Sequence, residues 1–280
     1  VKPWEAPLTG GPDAHRYMAL ARGERVPRPF HLRWLLPTFL GESRGGWWAI
    51  WLMSWPVLAG GMIVWRFAAG DDWRVVGAAT VFLVALPGIL GPSAVIPVGV
   101  DLPATALSLC GVGLLEVGGW SCNVVGLALI GVAAMIRETS PVWSALWLWS
   151  PLPLVVLPVV VVRHMVAKTG PDPLGPRFDE IAAHPIKAAL AAHVGRWRDG
   201  WLMVAPWGAC LAGLIRPSVA LVVVLVLAYA QLLIATDTVR LVHHAAGPVL
   251  AVAAAQTIPM EWLLLACVLH VVWFWQMERV

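Results

Sequence analysis

Residues 75–100 read VVGAATVFLVALPGILGPSAVIPVGV and hold no charged side chain. Residues 139–162 and 217–236 hold none either. A helix needs roughly 20 apolar residues to cross the hydrocarbon layer of a bilayer. These runs meet that length, and none alternates apolar and polar residues as a barrel strand would. A segment in lipid must satisfy its backbone groups internally, so the runs predict helices. The expected fold is an all-α polytopic integral membrane protein.

Composition agrees. The 280 residues are 59% hydrophobic and 12% charged, with a mean hydropathy of +0.77. A soluble domain carries about 25% charged residues. Tryptophan outnumbers tyrosine 18 to 2, and indole suits the headgroup layer, where one edge is wet and the body is apolar. The lipid bilayer is therefore the first partner expected. Cys110, Cys122, Cys210 and Cys267 all lie in apolar segments without a CxxC pair. They read as small hydrophobes and report no redox compartment.

Charge placement sets the topology. Residues 1–45 carry Lys2 and Arg16, Arg22, Arg25, Arg28, Arg33 and Arg44 against four acids. Basic loops stay on the cytoplasmic side. This segment is polar, has no apolar stretch of the signal-peptide kind, and opens as a Pro- and Gly-rich arm expected to be extended. Residues 163–200 carry six Lys and Arg against four acids and belong on the same side. An even number of spans must separate the two, yet five apolar segments lie between them, at 47–65, 75–98, 103–118, 121–136 and 142–162. The odd piece is 99–125, which contains GVGLLEVGGWSCN and reads as re-entrant or interfacial. Beyond residue 200, segments at 201–215, 218–236, 245–258 and 261–277 return the chain to the cytoplasm. The segment 245–258, between Pro248 and Pro259, reads as a half-helix. About eight spans in the cytoplasmic membrane, with both termini cytoplasmic, are expected.

An internal repeat is suggested. WLMSWPVLAGGMIVWR (51–66) and WLMVAPWGACLAGLIR (201–216) agree at six of sixteen positions, and shorter similarities flank both in the same order. The organisation expected is a cytoplasmic arm and amphipathic helix (1–45), a first membrane half (46–162), a basic linker with a second amphipathic helix (163–200) and a second membrane half (201–280). The halves would be parallel four-helix repeats, each preceded by a basic amphipathic helix, at 29–47 and 178–197. Such helices suit either the lipid interface or a partner subunit.

Two places carry chemistry. In DTVRLVHHAAGP (237–248), Asp237, Arg240 and His244 share a helical face, with His243 adjacent. The chemical readings are a lipid-phosphate clamp or a proton relay, because ionisable groups at membrane depth are costly. The topology favours a plainer one, a solvated helix end with an Asp237–Arg240 pair. Glu116 sits among glycines with no nearby cation, so it would be neutral, paired at a distance or facing a wet cavity. His270 could face inward, but the first half has no histidine between His31 and His164 to oppose it, which speaks against a two-haem bundle.

Other signatures are missing. No phosphate-binding glycine loop, HExxH, nucleophile elbow, DxD, zinc or EF-hand spacing occurs, so no metal or particular cofactor is indicated. No basic–aromatic surface suggests nucleic acid. Three functional readings follow. The first is a membrane subunit of a larger assembly, of permease, channel or secretion type, with other protein subunits as partners. The second is a membrane enzyme acting on a lipid-linked phosphate through Arg240, His243 and His244. The third is a structural scaffold.

Overall fold

The structure is a computed structural model and describes residues 12–27, 30–89, 99–170, 183–198, 204–233 and 238–277. Of these, 83% are helical, and there is no strand among them. In chain order the helices are α1 (Pro12–Ala21), α2 (Leu35–Leu40), α3 (Arg44–Ala68), α4 (Trp73–Val84), α5 (Asp101–Val117), α6 (Trp120–Ile136), α7 (Ser140–Leu148), α8 (Leu157–Val166), α9 (Pro185–Arg198), α10 (Val219–Ala230), α11 (Thr238–Thr257) and α12 (Met260–Met277). Tighter 3-10 segments lie at Phe30–Leu32, Leu152–Val156, Ala205–Leu214 and Gln231–Leu233. Among the described residues one helix, α3, is long and apolar enough to cross a membrane. Shorter apolar helices account for much of the rest.

The chain forms two compact units that interleave in sequence. The first contains Val1–Gly61 and Ser93–His184, and the second Met62–Pro92 and Pro185–Val280. Segment 62–92 thus groups with the C-terminal part, so the grouping does not follow halves at 46–162 and 201–280. The repeat windows also differ in conformation. Residues 51–66 lie in regular helix, whereas Ala205–Leu214 is 3-10 with a non-helical break at Gly208.

In the first unit, α5 and α6 form an antiparallel hairpin. Gly118 (φ 76°) and Gly119 (φ 82°) make the turn, a backbone shape that side-chain-bearing residues resist. The helices touch at Gly111 and Gly126, where an added Cβ would stand 2.7–2.8 Å from the facing carbonyl oxygen. The glycines that suggested a broken, re-entrant piece therefore have other roles. Gly118 and Gly119 turn the chain, and Gly111, with Gly126 beyond that stretch, lets two backbones meet, as small residues do between apolar helices.

The Pro- and Gly-rich opening expected to be extended falls almost wholly on residues 1–11, outside the described residues; from Pro12 the chain forms the packed helix α1. Ala14, Tyr17 and Met18 recur at helical spacing. They bury against Phe30, Leu36, Trp47, Val100, Ala104 and Ile136, closing one end of the unit. The first amphipathic helix, expected over 29–47, is instead α2 followed by a new start at α3. Gly41 (φ 55°) ends α2, and the Trp47 indole donates to its carbonyl at 3.0 Å. Trp48, Trp51 and Trp55 then stack edge-to-face along α3, with ring centres 5.3 and 5.9 Å apart. The expected span 142–162 is broken as well. Trp149, in the left-handed conformation (φ 52°), ends α7, and a 3-10 segment that follows Pro151 and contains Pro153 precedes α8.

Buried ion pairs hold that closed end. Arg33 donates to both carboxylate oxygens of Glu138 at 2.9 Å and to the Tyr17 hydroxyl at 3.2 Å. Arg137, at the end of α6, pairs with Asp101 at the start of α5. These bonds tie the N-terminal segment to the α6–α7 junction, and the hairpin's two free ends to each other.

In the second unit, α11 packs on α4, on α10 and on the segment Ala205–Leu214, while α12 packs on α4 and on the same segment. Asp72 caps α4 by accepting from the Arg74 amide, and Ser218 caps α10 by accepting from the Leu221 amide. The half-helix expected at 245–258 is instead the C-terminal part of α11, which runs on through Pro248. Pro248 costs the His244 carbonyl its usual partner without ending the helix. In α9, Ile186, Leu190 and Val194 are exposed, whereas Ala189 is buried.

Candidate functional site

The site of interest lies in the second unit, around a broken segment. Gly208 interrupts Ala205–Leu214 with φ 51° and ψ −129°. Three consecutive residues at this break meet two histidines. The Trp207 ring lies against His243, with centres 4.3 Å apart. Gly208 presses on His270, where a Cβ would stand 2.7 Å from the ring Nδ1. The Ala209 amide donates to that same Nδ1 at 3.2 Å.

The other bonds define the rings. His270 Nδ1 accepts a hydrogen bond, so the neutral ring carries its proton on Nε2 and donates it to the Phe82 carbonyl at 3.0 Å. His270 thereby links the broken segment on one side to α4 on the other. His243 Nδ1 accepts from the Gly88 amide at 2.9 Å. Both histidines take up backbone groups that a helix interruption leaves over. Trp207 donates to the Tyr229 hydroxyl at 2.9 Å, and Trp273 donates to the Ala205 carbonyl at 2.7 Å, so α10 and α12 also hold the break.

His243 and His244 are 2% and 3% exposed, and His270 is 1% exposed. The reading of 237–248 as a solvated helix end therefore fails for the two histidines. The helix begins at Thr238 and buries them within its first two turns. Asp237 lies outside the described residues. Arg240 is half-buried in the first turn of α11. Glu116 belongs to the first unit, where it is exposed in the last turn of α5 beside the Gly118–Gly119 turn. It is not an apolar-buried carboxyl, and the structure does not gather it with the histidines into one unit.

Local spacing points to His243 but not to its companions: His270 stands alone in an apolar run, and Trp207 and Gly208 fall inside the apolar segment 201–215. A usable signal was present: Pro206 and Gly208 flank Trp207 in a short apolar run, a composition that disfavours a regular helix.

This arrangement suits positioning more than metal chemistry. His270 uses both ring nitrogens on backbone groups, and His243 uses Nδ1. Among the described residues no group of three or more His, Cys, Asp or Glu side chains is placed to hold a metal ion. The four cysteines are free thiols, and Cys110 donates to the Val57 carbonyl at 3.3 Å. No protein-family model, curated protein or solved structure matches the chain.

Proposed function

We propose that the chain is a polytopic, membrane-embedded subunit of a multi-component assembly, of permease, channel or secretion type. The observation that carries the transport part of this reading is the break at Gly208, held by buried His243 and His270. Irregular backbone is costly in an apolar bundle, and discontinuous helices in membrane transporters surround the place where cargo is handled. Ionisable side chains in such surroundings point the same way.

The outer surface supports the membrane part. No residue of α8 is buried, although it reads LPVVVVRHMV. On α12, Leu264, Leu265, Val268, Leu269 and Val272 are all about half exposed or more. A soluble monomer rarely exposes contiguous apolar patches beyond a few hundred Å². Lipid and neighbouring subunits are the surroundings that make such faces stable. The enzyme reading has less support, because His243 already accepts a backbone hydrogen bond and is shielded from a cytoplasmic phosphate.

Purification from native membranes in mild detergent tests the proposal. The expected particle is well above the 30.2 kDa of the chain after correction for detergent, with the same proteins co-purifying in fixed ratio. A particle of one chain, free of partners in every mild detergent, overturns the subunit reading.

A further inference from the structure

A second polar feature lies in the first unit, remote in sequence from the histidines. Asp101, Thr105 and Ser108 fall on one face of α5, at spacings of four and three. Helix α7 packs against α5. Because Arg137 pairs with Asp101, α7, which starts at Ser140, leaves from the same end as α5. Ser108 lies two turns into α5 and Ser144 about one turn into α7, so each helix carries a buried hydroxyl further along its length than the ion pair. Arg137 is 5% exposed, Ser108 1% and Ser144 0%.

The bonding of these groups is unlike that of other hydroxyls in the chain. Ser54, Thr80 and Thr257 each donate to the carbonyl four residues back, at 2.7–2.8 Å. That is the usual resting place of a hydroxyl on an apolar helix. The hydroxyls of Ser108, Ser144 and Thr139, and the Arg137 Nε–H, are buried without any protein partner. Four such groups on α5, at the end of α6 and at the start of α7, which pack on one another, are a concentrated exception. Buried polar groups are bonded as a rule, to protein or to ordered water, and leaving one unbonded costs about 1–3 kcal/mol.

We infer that the seam between α5 and α7 is a binding site for small uncharged hydrogen-bonding molecules, namely a short file of water running inward from the Asp101–Arg137 pair. The chemistry selects this class. The four unpartnered groups can all donate, which calls for an acceptor. The Asp101 carboxylate cancels the Arg137 charge, so the seam offers a free anion little net attraction. Water accepts from one hydroxyl and donates to the next, and each molecule needs two to four polar partners, which the seam supplies. The inference is independent of the transport reading, since it concerns the first unit alone.

Radiolytic hydroxyl-radical labelling with rapid mixing into oxygen-18 water tests it on the full chain in detergent. Bound water generates radicals in place, and it exchanges more slowly than bulk water. The peptide covering 101–109 is expected to be labelled although all but one of its residues are buried, with slower oxygen exchange than the exposed Trp120. The Ser108→Ala/Ser144→Ala double variant should fold, lose that label to background and melt at a lower temperature. Ser108→Thr, which keeps a hydroxyl, should retain the label. No label in 101–109 at doses that label Trp120 overturns the site. So does a double variant that melts at the same or a higher temperature, because removing unbonded hydroxyls from a dry seam relieves a cost.

Discussion

Gly208→Val is expected to abolish cooperative melting of the second unit. Three costs add at that position. The backbone there (φ 51°, ψ −129°) is essentially reserved for glycine, and a branched side chain forced into it costs about 1–3 kcal/mol. The new Cβ would sit 2.7 Å from His270 Nδ1 and 3.0 Å from a Trp273 ring carbon, an overpacking of about 1–3 kcal/mol. Moving His270 aside breaks its bonds to the Ala209 amide and the Phe82 carbonyl, with about 1 kcal/mol or more for each group left unbonded. The sum is comparable with the whole stability of a domain, about 5–15 kcal/mol. Gly77→Ala is the matched control. Gly77 is exposed on α4 with nothing within 4 Å of an added Cβ, so alanine there should stabilise by roughly 0.5–1 kcal/mol. Thermal scans of both variants in the same detergent decide the matter, and a Gly208→Val protein that melts like the parent would refute the role of the break.

Arg33→Ala should cost about 3–5 kcal/mol, the usual penalty for stranding one member of a buried ion pair. The two side chains are only 12% and 15% exposed, so solvent cannot rescue Glu138. The pair also carries a pH signature. Burial is the largest single influence on the Glu138 carboxyl and would raise it, but the Arg33 charge, the Arg33 hydrogen bonds, a backbone bond and the nearby Arg137 charge together outweigh it and hold the carboxyl below its ordinary value. Burial is likewise the largest single influence on Arg33 and works against its charge, but Glu138 together with Tyr17 and Asp101 outweighs it, keeping the guanidinium charged throughout. A depressed carboxyl contributes stability that is complete above its unfolded value of about 4.3 and is lost as pH falls through the folded value. Acid unfolding of the parent should therefore show a loss below pH 4 that Glu138→Gln lacks, at the price of lower stability near neutrality. Melting temperature against pH for the parent and for Glu138→Gln checks both halves of that statement. Parallel curves would remove the pair from the account.

How much of this was legible in the sequence depends on the range of the interactions. The helices at α3, α10 and α12 lie within the segments 47–65, 218–236 and 261–277 or overlap them closely, because unbroken apolar runs leave the backbone little choice. Breaks were harder. Gly118 and Gly119 stop a helix whereas Gly111 and Gly126 sit inside helices, and only the facing backbone distinguishes the two cases. Trp149 ends a helix in a conformation that nothing about tryptophan foretells. Pro248 looked like a boundary and proved to be internal. The site was least legible. Asp237, Arg240, His243 and His244 were grouped by local spacing, but the partners that fix His243 come from Gly88, 155 positions away, and from Trp207. The Arg33–Glu138 pair joins residues 105 positions apart. Local periodicity carries no information about such pairings.

The central claim is that the exposed apolar faces of α3, α8, α10 and α12 stand in lipid or against membrane neighbours. Extraction of native membranes at alkaline pH tests this most directly, because carbonate strips peripheral proteins and leaves polytopic ones behind. The account predicts that the chain stays in the membrane pellet after carbonate and urea and is released only by detergent. Recovery in the carbonate supernatant as a folded, detergent-free protein would contradict it.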